Sequence, residues 1–322
     1  MQKWGKDARG NPRFRCRKCA TSSLRKRYDL SQKYKKRLFH KWLLSKSSLS
    51  ECARAYKTTR QTLHAWFTPF WQEEPAPKEV DVSGRVLIID GKYVERDATV
   101  QIAATTQGVV SWDFTQRENA SSWMTFLLGL KYVPFAIVCD GQRGMLKAIK
   151  QRFPGLIVQR CQFHVMQYCL AKLTQKPESI AAIELRELVL RISSIKTKKQ
   201  FAYWITDYRD WHQAHRDFLK QKTYQEINLT PTGRKSWHYT HGRLHAAHSH
   251  LKNVIPNLFK YLLFPKIPNT SNFIEGAINS QLQEKLRFHR GLSLTKRMVL
   301  IAHFLASKQR GEIKEKPTQN FT

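Results

Sequence analysis

Acidic residues are scarce in this chain: 24 Asp and Glu stand against 56 Lys and Arg in 322 residues, which leaves a formal charge of +32. That deficit calls for a partner of dense negative charge. Cysteine is scarce as well. Six residues of this type (Cys16, Cys19, Cys52, Cys139, Cys161, Cys169) are too few for a disulfide framework and suit a reducing cytosol, so an intracellular protein is expected. No apolar run is long enough to span a bilayer, and the N-terminus is charged and polar rather than a secretory signal, which argues against a membrane role. No heptad pattern marks a coiled-coil dimer. What the chain does contain is apolar mass: 41% hydrophobic residues with 9 Trp, 11 Tyr and 17 Phe. These support a sizeable core spread over two or three domains, not a disordered basic tail.

The charge is uneven. Residues 1–70 carry 19 Lys and Arg but 3 acids, the footprint of a DNA-binding region. Residues 1–28 form a basic arm in which Cys16-x-x-Cys19 is flanked by Arg13, Arg15, Arg17 and Lys18. The pair resembles the second knuckle of a zinc ribbon. Tetrahedral structural zinc needs four ligands, and no cysteine pair lies upstream, so Cys16 and Cys19 read either as part of a zinc site or as two free thiols. Residues 29–70 become helical, and SLSECARAYKTTRQTLHAWF has the layout of a helix-turn-helix. Ala53 is small where two helices would cross, Thr58 and Thr59 can cap the second helix, and Leu63 with Trp66 give it an apolar face. Arg60, Gln61 and His64 would then face the major groove. Two ordinary packed helices are the alternative. Residues 71–84, WQEEPAPKEVDVSG, join two prolines to an acidic run and read as a linker.

Past the linker the periodicity turns to strands. VLIID (86–90), TVQIAATT (99–106) and VVSWDF (109–114) are followed by an amphipathic helix (120–130). FAIVCD (135–140), a helix and LIVQRC (156–161) come next. Three strands, helix, strand, helix, strand is the order of an α/β, ribonuclease H-like fold. Residues 85–164 would be the first part of that core and 269–310 its last part, with 165–268 an all-helical insertion and 311–322 a polar tail. Within the insertion Trp204, Trp211 and Trp237 are expected packing anchors. His238, His241, His245 and His248 recur at steps of three and four, as on one helix face. Gly242 and the nearby Arg234, Lys235 and Arg243 favour a solvated or DNA-facing surface there over a metal site.

Asp90 ends an apolar β-branched run and precedes a glycine, and Asp140 repeats the arrangement after Cys139. A carboxylate delivered to the rim of a buried sheet needs a cation or solvent, and two such acids in one core read as ligands for hard divalent cations. The alternative for either alone is a turn-initiating Asp. Glu275 opens the helix of SNFIEGAINSQL, where Asn272-x-x-Glu275 is also a capping-box spacing and Glu284 competes as a third ligand. Glu184 and Glu187 read as solvated helix charges. Lys285, Arg287, His289 and Arg290 make a basic stripe suited to phosphates. Cys161-x-x-His164, at a strand end, reads as a packed or hydrogen-bonded pair supporting the active site.

Taken together, IIDGKYV, VCDGQRGMLKAI, CQFH and PNTSNFIEGAINSQLQEKLRFHRGL resemble bacterial insertion-sequence transposases of the Mutator-like DDE class, over most of the chain. The resemblance implies a ribonuclease H-like catalytic domain with an all-helical insertion and a Mg²⁺-dependent triad of Asp90, Asp140 and Glu275, and so it favours Glu275 over Glu284. Two Mg²⁺ ions, with Mn²⁺ as substitute, would serve an in-line displacement from positions roughly 3.5–4 Å apart. It further implies recognition of terminal inverted repeats by the N-terminal region and 3′-hydroxyl strand transfer into target double-stranded DNA. The expected protein is cytoplasmic, associated with the bacterial nucleoid, and a homodimer or larger assembly on DNA. The competing functions are a catalytically silent, transposase-derived DNA-binding protein and a ribonuclease H-like nuclease. Relatives often carry a full zinc ribbon, of which Cys16 and Cys19 alone remain here.

Overall fold

The computed structural model describes residues 1–8, 10–24, 28–96, 98–229 and 235–309; the expected polar tail, 311–322, and Arg234 lie outside them. The chain divides into two compact units, one of Met1–Ala76 with Ser280–Ser307, the other of Pro77–Asn279 with Lys308 and Gln309.

The first unit begins with an antiparallel three-stranded sheet, β1 (Gln2–Lys6), β2 (Pro12–Arg15) and β3 (Ser22–Leu24). Three helices follow, α1 (Tyr28–Leu43), α2 (Leu49–Ala55) and α3 (Arg60–Phe67). Local chemistry sets their ends. Ser48 and Glu51 close a capping box on α2, and the Thr59 hydroxyl caps α3 by accepting from the Thr62 amide. Between these helices the chain turns through Lys57 at φ +50°. Ala53 is buried, as a helix crossing requires, but the apolar face of α3 is made by Leu63 and Phe67; Trp66 is half-buried beneath the Lys35 ammonium, 5.4 Å from its ring. Aromatic packing fills this core, with Trp42 stacked on Phe67 at 5.2 Å and Phe39 edge-on to it at 5.4 Å.

The second unit is a mixed α/β body. Its strands are β4 (Val86–Glu95), β5 (Ala98–Thr105), β6 (Gly108–Thr115), β7 (Ala136–Cys139) and β8 (Ile157–Arg160), in the spatial order β6-β5-β4-β7-β8. The first three pair antiparallel, and β4, β7 and β8 run parallel. The connections explain this. Short turns join β4 to β5 to β6, whereas α4 (Ala120–Leu128) and α5 (Arg143–Arg152) provide the crossovers that parallel strands need. These helices cover one face through Trp123, Phe126, Leu127, Met145 and Ile149, which pack on Leu87, Ile89 and Ile137. All of β5 is buried, so it lacks the alternation of a half-wet strand.

After β8 come α6 (Gln162–Leu173), α7 (Ile180–Arg191), α8 (Lys198–Lys220), β9 (Lys222–Leu229), β10 (Lys235–Tyr239) and α9 (Gly242–Leu258). The expectation of an all-helical insertion is corrected here, because β9 and β10 form an antiparallel hairpin with Tyr224 opposite Trp237 and Thr223 opposite His238. The sequence signal was present in the strand formers Thr223, Tyr224 and Ile227 and in the turn residues Pro231 and Gly233, but it is short beside the flanking helices. The hairpin also overturns two readings of side chains. Trp204 and Trp211 are core anchors with their indoles donating to the carbonyls of Leu188 and Ala181, whereas Trp237 is 43% exposed with Lys222 Nζ 3.7 Å from its ring. The four histidines share no helix face: His238 is on β10, His241 precedes α9 and stacks on Phe218, His245 stacks on Tyr239, and His248 is buried against the Tyr208 hydroxyl. Burial, then His212, pushes His248 down to about 4.

The second unit closes with a π-helical turn, Phe273–Asn279. The chain then returns to the first unit as α10 (Ser280–Phe288) and α11 (Leu294–Lys308).

Candidate functional site

Asp90 lies inside β4, opposite Ile102 of β5, and the residue is 8% exposed. Strand alternation points Leu87 and Ile89 at the helix-covered face and Ile88 and Asp90 at the other. Oδ2 accepts a hydrogen bond from Asn279 Nδ2 at 3.0 Å. Burial, then the charge of Asp140, pushes Asp90 up to about 6, and Glu275 adds to the repulsion while His164 and Asn279 oppose it.

Asp140 follows the last residue of β7. Its Oδ1 accepts from the Gln142 amide at 3.0 Å, while its backbone carbonyl takes two bonds from Arg160, from Nε at 3.0 Å and Nη2 at 2.7 Å. Gly141 allows that clamp. It adopts φ +80°, and a Cβ there would stand 1.8 Å from Arg160 Nε. Glu275 lies in the π-helical turn, an arrangement often met at functional sites. Its Oε1 accepts from Ser271 Oγ at 3.0 Å and stands 3.6 Å from His164 Nε2.

Cys161 and His164 belong to the same neighbourhood. Cys161 Sγ accepts from the amide and hydroxyl of Ser271 at 3.3 and 3.2 Å. Burial pushes this thiol up, but hydrogen bonding to His164 and Ser271 outweighs it and leaves the thiol below its ordinary value. His164 is lifted to about 9, first by its bond to Cys161 and against burial, with Glu275 and Asp90 contributing.

One residue of the neighbourhood escaped the sequence reading. Glu118, between β6 and α4, is pushed up to about 7 by burial, then by Asp140 and Asp90. Its carboxylate fills the space beside Gly91, where a Cβ would lie 1.8 Å from Glu118 Oε1. Asp90 and Asp140 each end an apolar run, but Glu118 sits in the polar TQREN, so periodicity gives no sign of it. The one trace in the sequence is the glycine after Asp90.

The remaining sequence candidates lie in the first unit. Arg60, Gln61 and His64 are all exposed on α3. Arg17 and Lys18 are exposed, while Arg13 donates to Ser22 Oγ and Arg15 donates to the Ala20 carbonyl beneath Trp4. Cys16 and Cys19 occupy the turn between β2 and β3. Hydrogen bonds from Thr21, then Cys16, lower Cys19 to about 7, and among the described residues no cluster of three or more metal-binding side chains includes them. Arg287 and Arg290 are exposed. Lys285 instead donates to the carbonyls of Leu44 and Ser45, and His289 is buried against the Leu43 carbonyl and the Trp42 ring. Glu284 pairs with Lys46 at 2.7 Å.

The chain thus combines a mixed-sheet α/β unit, with acids clustered at its central strand, and a strongly basic unit. The chain belongs to the Mutator family of transposases, whose sequence model matches residues 43–245. That stretch includes Asp90, Glu118, Asp140, Cys161 and His164 and stops short of Glu275. The chain is similar to the transposase for insertion sequence element IS6120 of Mycolicibacterium smegmatis, with 33% identity over 97 residues, 28% of each chain. It is also similar to the transposase for insertion sequence element IS905 of Lactococcus lactis subsp. lactis, with 26% identity over 153 residues. That second match covers 41% of this chain and 39% of the relative. The chain therefore spans less than half the length of either curated relative it matches. No helix among the described residues is long and apolar enough to cross a membrane.

Proposed function

We propose that this protein is a DDE transposase that cuts DNA at the ends of an insertion sequence and joins the resulting 3′-hydroxyl to target DNA. Asp90, Asp140 and Glu275 are the catalytic acids. In this reading the second unit is a ribonuclease H-like core carrying an insertion, from residue 165 to about 268, that is helical apart from its hairpin. In the first unit α2 and α3 are a helix-turn-helix that reads terminal inverted repeats through Arg60, Gln61 and His64. Arg13, Arg15, Arg17, Lys18, Arg287 and Arg290 contact phosphates. Work on two DNA ends calls for a homodimer or larger assembly on the DNA.

One observation carries the reading: Asp90 is buried inside β4, where burial and the charge of Asp140, with Glu275, push it up to about 6 from its ordinary 3.8. A carboxylate so buried among like charges is a poor resident of an α/β core, and a divalent cation relieves both penalties at once. The donor set fits Mg²⁺ or Mn²⁺, being all carboxylate oxygen. Held by Asp90, Asp140 and Glu275, such ions would neutralise charge on the attacking and leaving oxygens of an in-line phosphoryl transfer. The chain's own groups prepare the site. Asn279 donates to Asp90 Oδ2 and Ser271 donates to Glu275 Oε1, which holds each carboxylate in place. Arg160 locks the Asp140 backbone through two bonds to one carbonyl. Glu118, at about 7, carries a proton on part of the population at neutral pH and can exchange it beside the reacting phosphate.

The test is incubation of the purified protein with the DNA flanking its own gene, in Mg²⁺ or EDTA, against Glu275→Gln on a sequencing gel. Metal-dependent nicks at the element end that disappear in the variant support the proposal. Binding without any nick, or nicks that survive the substitution, overturn it.

A further inference from the structure

Glu275 is shared between two sets of ligand atoms. One is the carboxylate set proposed above; the other joins the same carboxylate to a thiol and an imidazole. Cys161 Sγ, a His164 ring nitrogen and a Glu275 carboxylate oxygen all lie within 4.8 Å of one another, the one such cluster of three or more metal-binding side chains among the described residues. The geometry points to a second metal site here, a thiolate–imidazole–carboxylate site for Zn²⁺ formed by Cys161, His164 and Glu275.

Donor spacing supports it. Tetrahedral zinc with bonds of about 2.0–2.3 Å sets its donors about 3.3–3.8 Å apart, and His164 Nε2 already stands 3.6 Å from Glu275 Oε1. The ligands are tied together by Ser271, which is buried, and whose hydroxyl reaches Cys161 Sγ at 3.2 Å and Glu275 Oε1 at 3.0 Å. That hydroxyl has a single proton and serves one of the two at a time, while the Ser271 amide still supports the sulfur. A cation between sulfur and carboxylate would be held by both, and Ser271 would become the outer partner that orients these ligands. Access is open, because the His164 and Glu275 side chains are 30% and 29% exposed. Three protein ligands and an open fourth position is a normal zinc arrangement. The thiolate sets the preference: Mg²⁺ demands oxygen ligands, and sulfur with imidazole selects zinc-like ions. Zinc bound here takes up a carboxylate of the other set, which makes Zn²⁺ an antagonist of Mg²⁺-supported DNA cleavage. The antagonism rests on the proposed cleavage, whereas the site itself does not.

The experiment is Co²⁺ titration of EDTA-treated full-length protein, read as the near-ultraviolet sulfur-to-cobalt charge-transfer band. Cys16 and Cys19 are removed first as Cys16→Ser/Cys19→Ser, so that Cys161 is the thiol under test. The expected band persists in that variant, saturates at one ion per chain, is displaced by Zn²⁺ and disappears on adding Cys161→Ser. Glu275→Gln and His164→Gln weaken Co²⁺ binding by at least roughly 10-fold, as loss of a ligand must when loss of an outer partner alone has that effect. No band, a band lost with Cys16 and Cys19, or a band surviving Cys161→Ser overturns the site. Should the buried Cys161→Ser fail to fold by circular dichroism, His164→Gln carries the test, and unchanged affinity overturns it. Zn²⁺ that leaves Mg²⁺-dependent nicking untouched while the band is present overturns the sharing of Glu275. A band in a protein that never nicks DNA overturns the proposed function and leaves the zinc site standing.

Discussion

Replacing Asp90 by Asn should make the metal-free protein more stable at neutral and alkaline pH, the opposite of what removing a buried, hydrogen-bonded side chain usually does. Asp90 rises from 3.8 to about 6 on folding. An acid with a raised folded value binds its proton more tightly when folded, so its penalty is absent below pH 3.8, grows between pH 3.8 and 6, and is complete above that. A shift of about two units corresponds to about 3 kcal/mol of destabilisation by ionised Asp90 at pH 8, taking 1.36 kcal/mol per unit. Asn is never charged, and its Oδ1 can still accept from Asn279 Nδ2, so the substitution keeps the bond and removes the repulsion. The assay is thermal unfolding in EDTA between pH 4 and 8. The two proteins should melt together near pH 4 and diverge as pH rises, the variant ending roughly 6–12 °C higher at 2–4 °C per kcal/mol. Mg²⁺ should then narrow or reverse the gap, because only the wild type has the full carboxylate set, and a ligand at 100 times its Kd adds about 2.7 kcal/mol. An Asp90→Asn protein that is less stable at pH 8 in EDTA, or a gap that ignores pH, refutes the account of this cluster.

Two further outcomes follow. Gly91→Ala places a methyl group where the Glu118 carboxylate sits; since that side chain can swing aside and Ala is favoured over Gly in a strand by about 0.5–1 kcal/mol, the melting temperature should hold while Mg²⁺ affinity measured by calorimetry changes, and unchanged affinity would free Glu118 of any part in the site. Arg13, Arg15 and Arg17 changed together to Ala should weaken binding to duplex DNA and flatten the slope of log K against log salt by about 0.9 for each phosphate no longer neutralised, whereas an unchanged slope would show that the N-terminal sheet does not touch the DNA backbone.

The amino-acid sequence determined what is local. Apolar β-branched runs mark β4 and β7 and put Asp90 and Asp140 where a carboxylate needs a cation or solvent, although β4 does not end at Asp90 as the sequence suggests but runs on to Glu95, while Asp140 follows β7. Ser48, Glu51 and Thr59 fix the start of α2 and α3, because a cap needs only residues a few positions apart, and Arg60, Gln61 and His64 then fall on the exposed side of α3. Tertiary structure decided what depends on distant partners. Glu118 joins the other acids because α4 begins next to β4, at a glycine that leaves room for it. His289 and Lys285 look like free cations in the sequence, yet they turn to the carbonyls at the end of α1, more than 200 positions earlier. The four evenly spaced histidines scatter because a hairpin, not a helix, precedes Gly242. Spacing along a chain specifies one face only while a single element continues. Which charges are buried, and against what, is set by the elements that pack upon them.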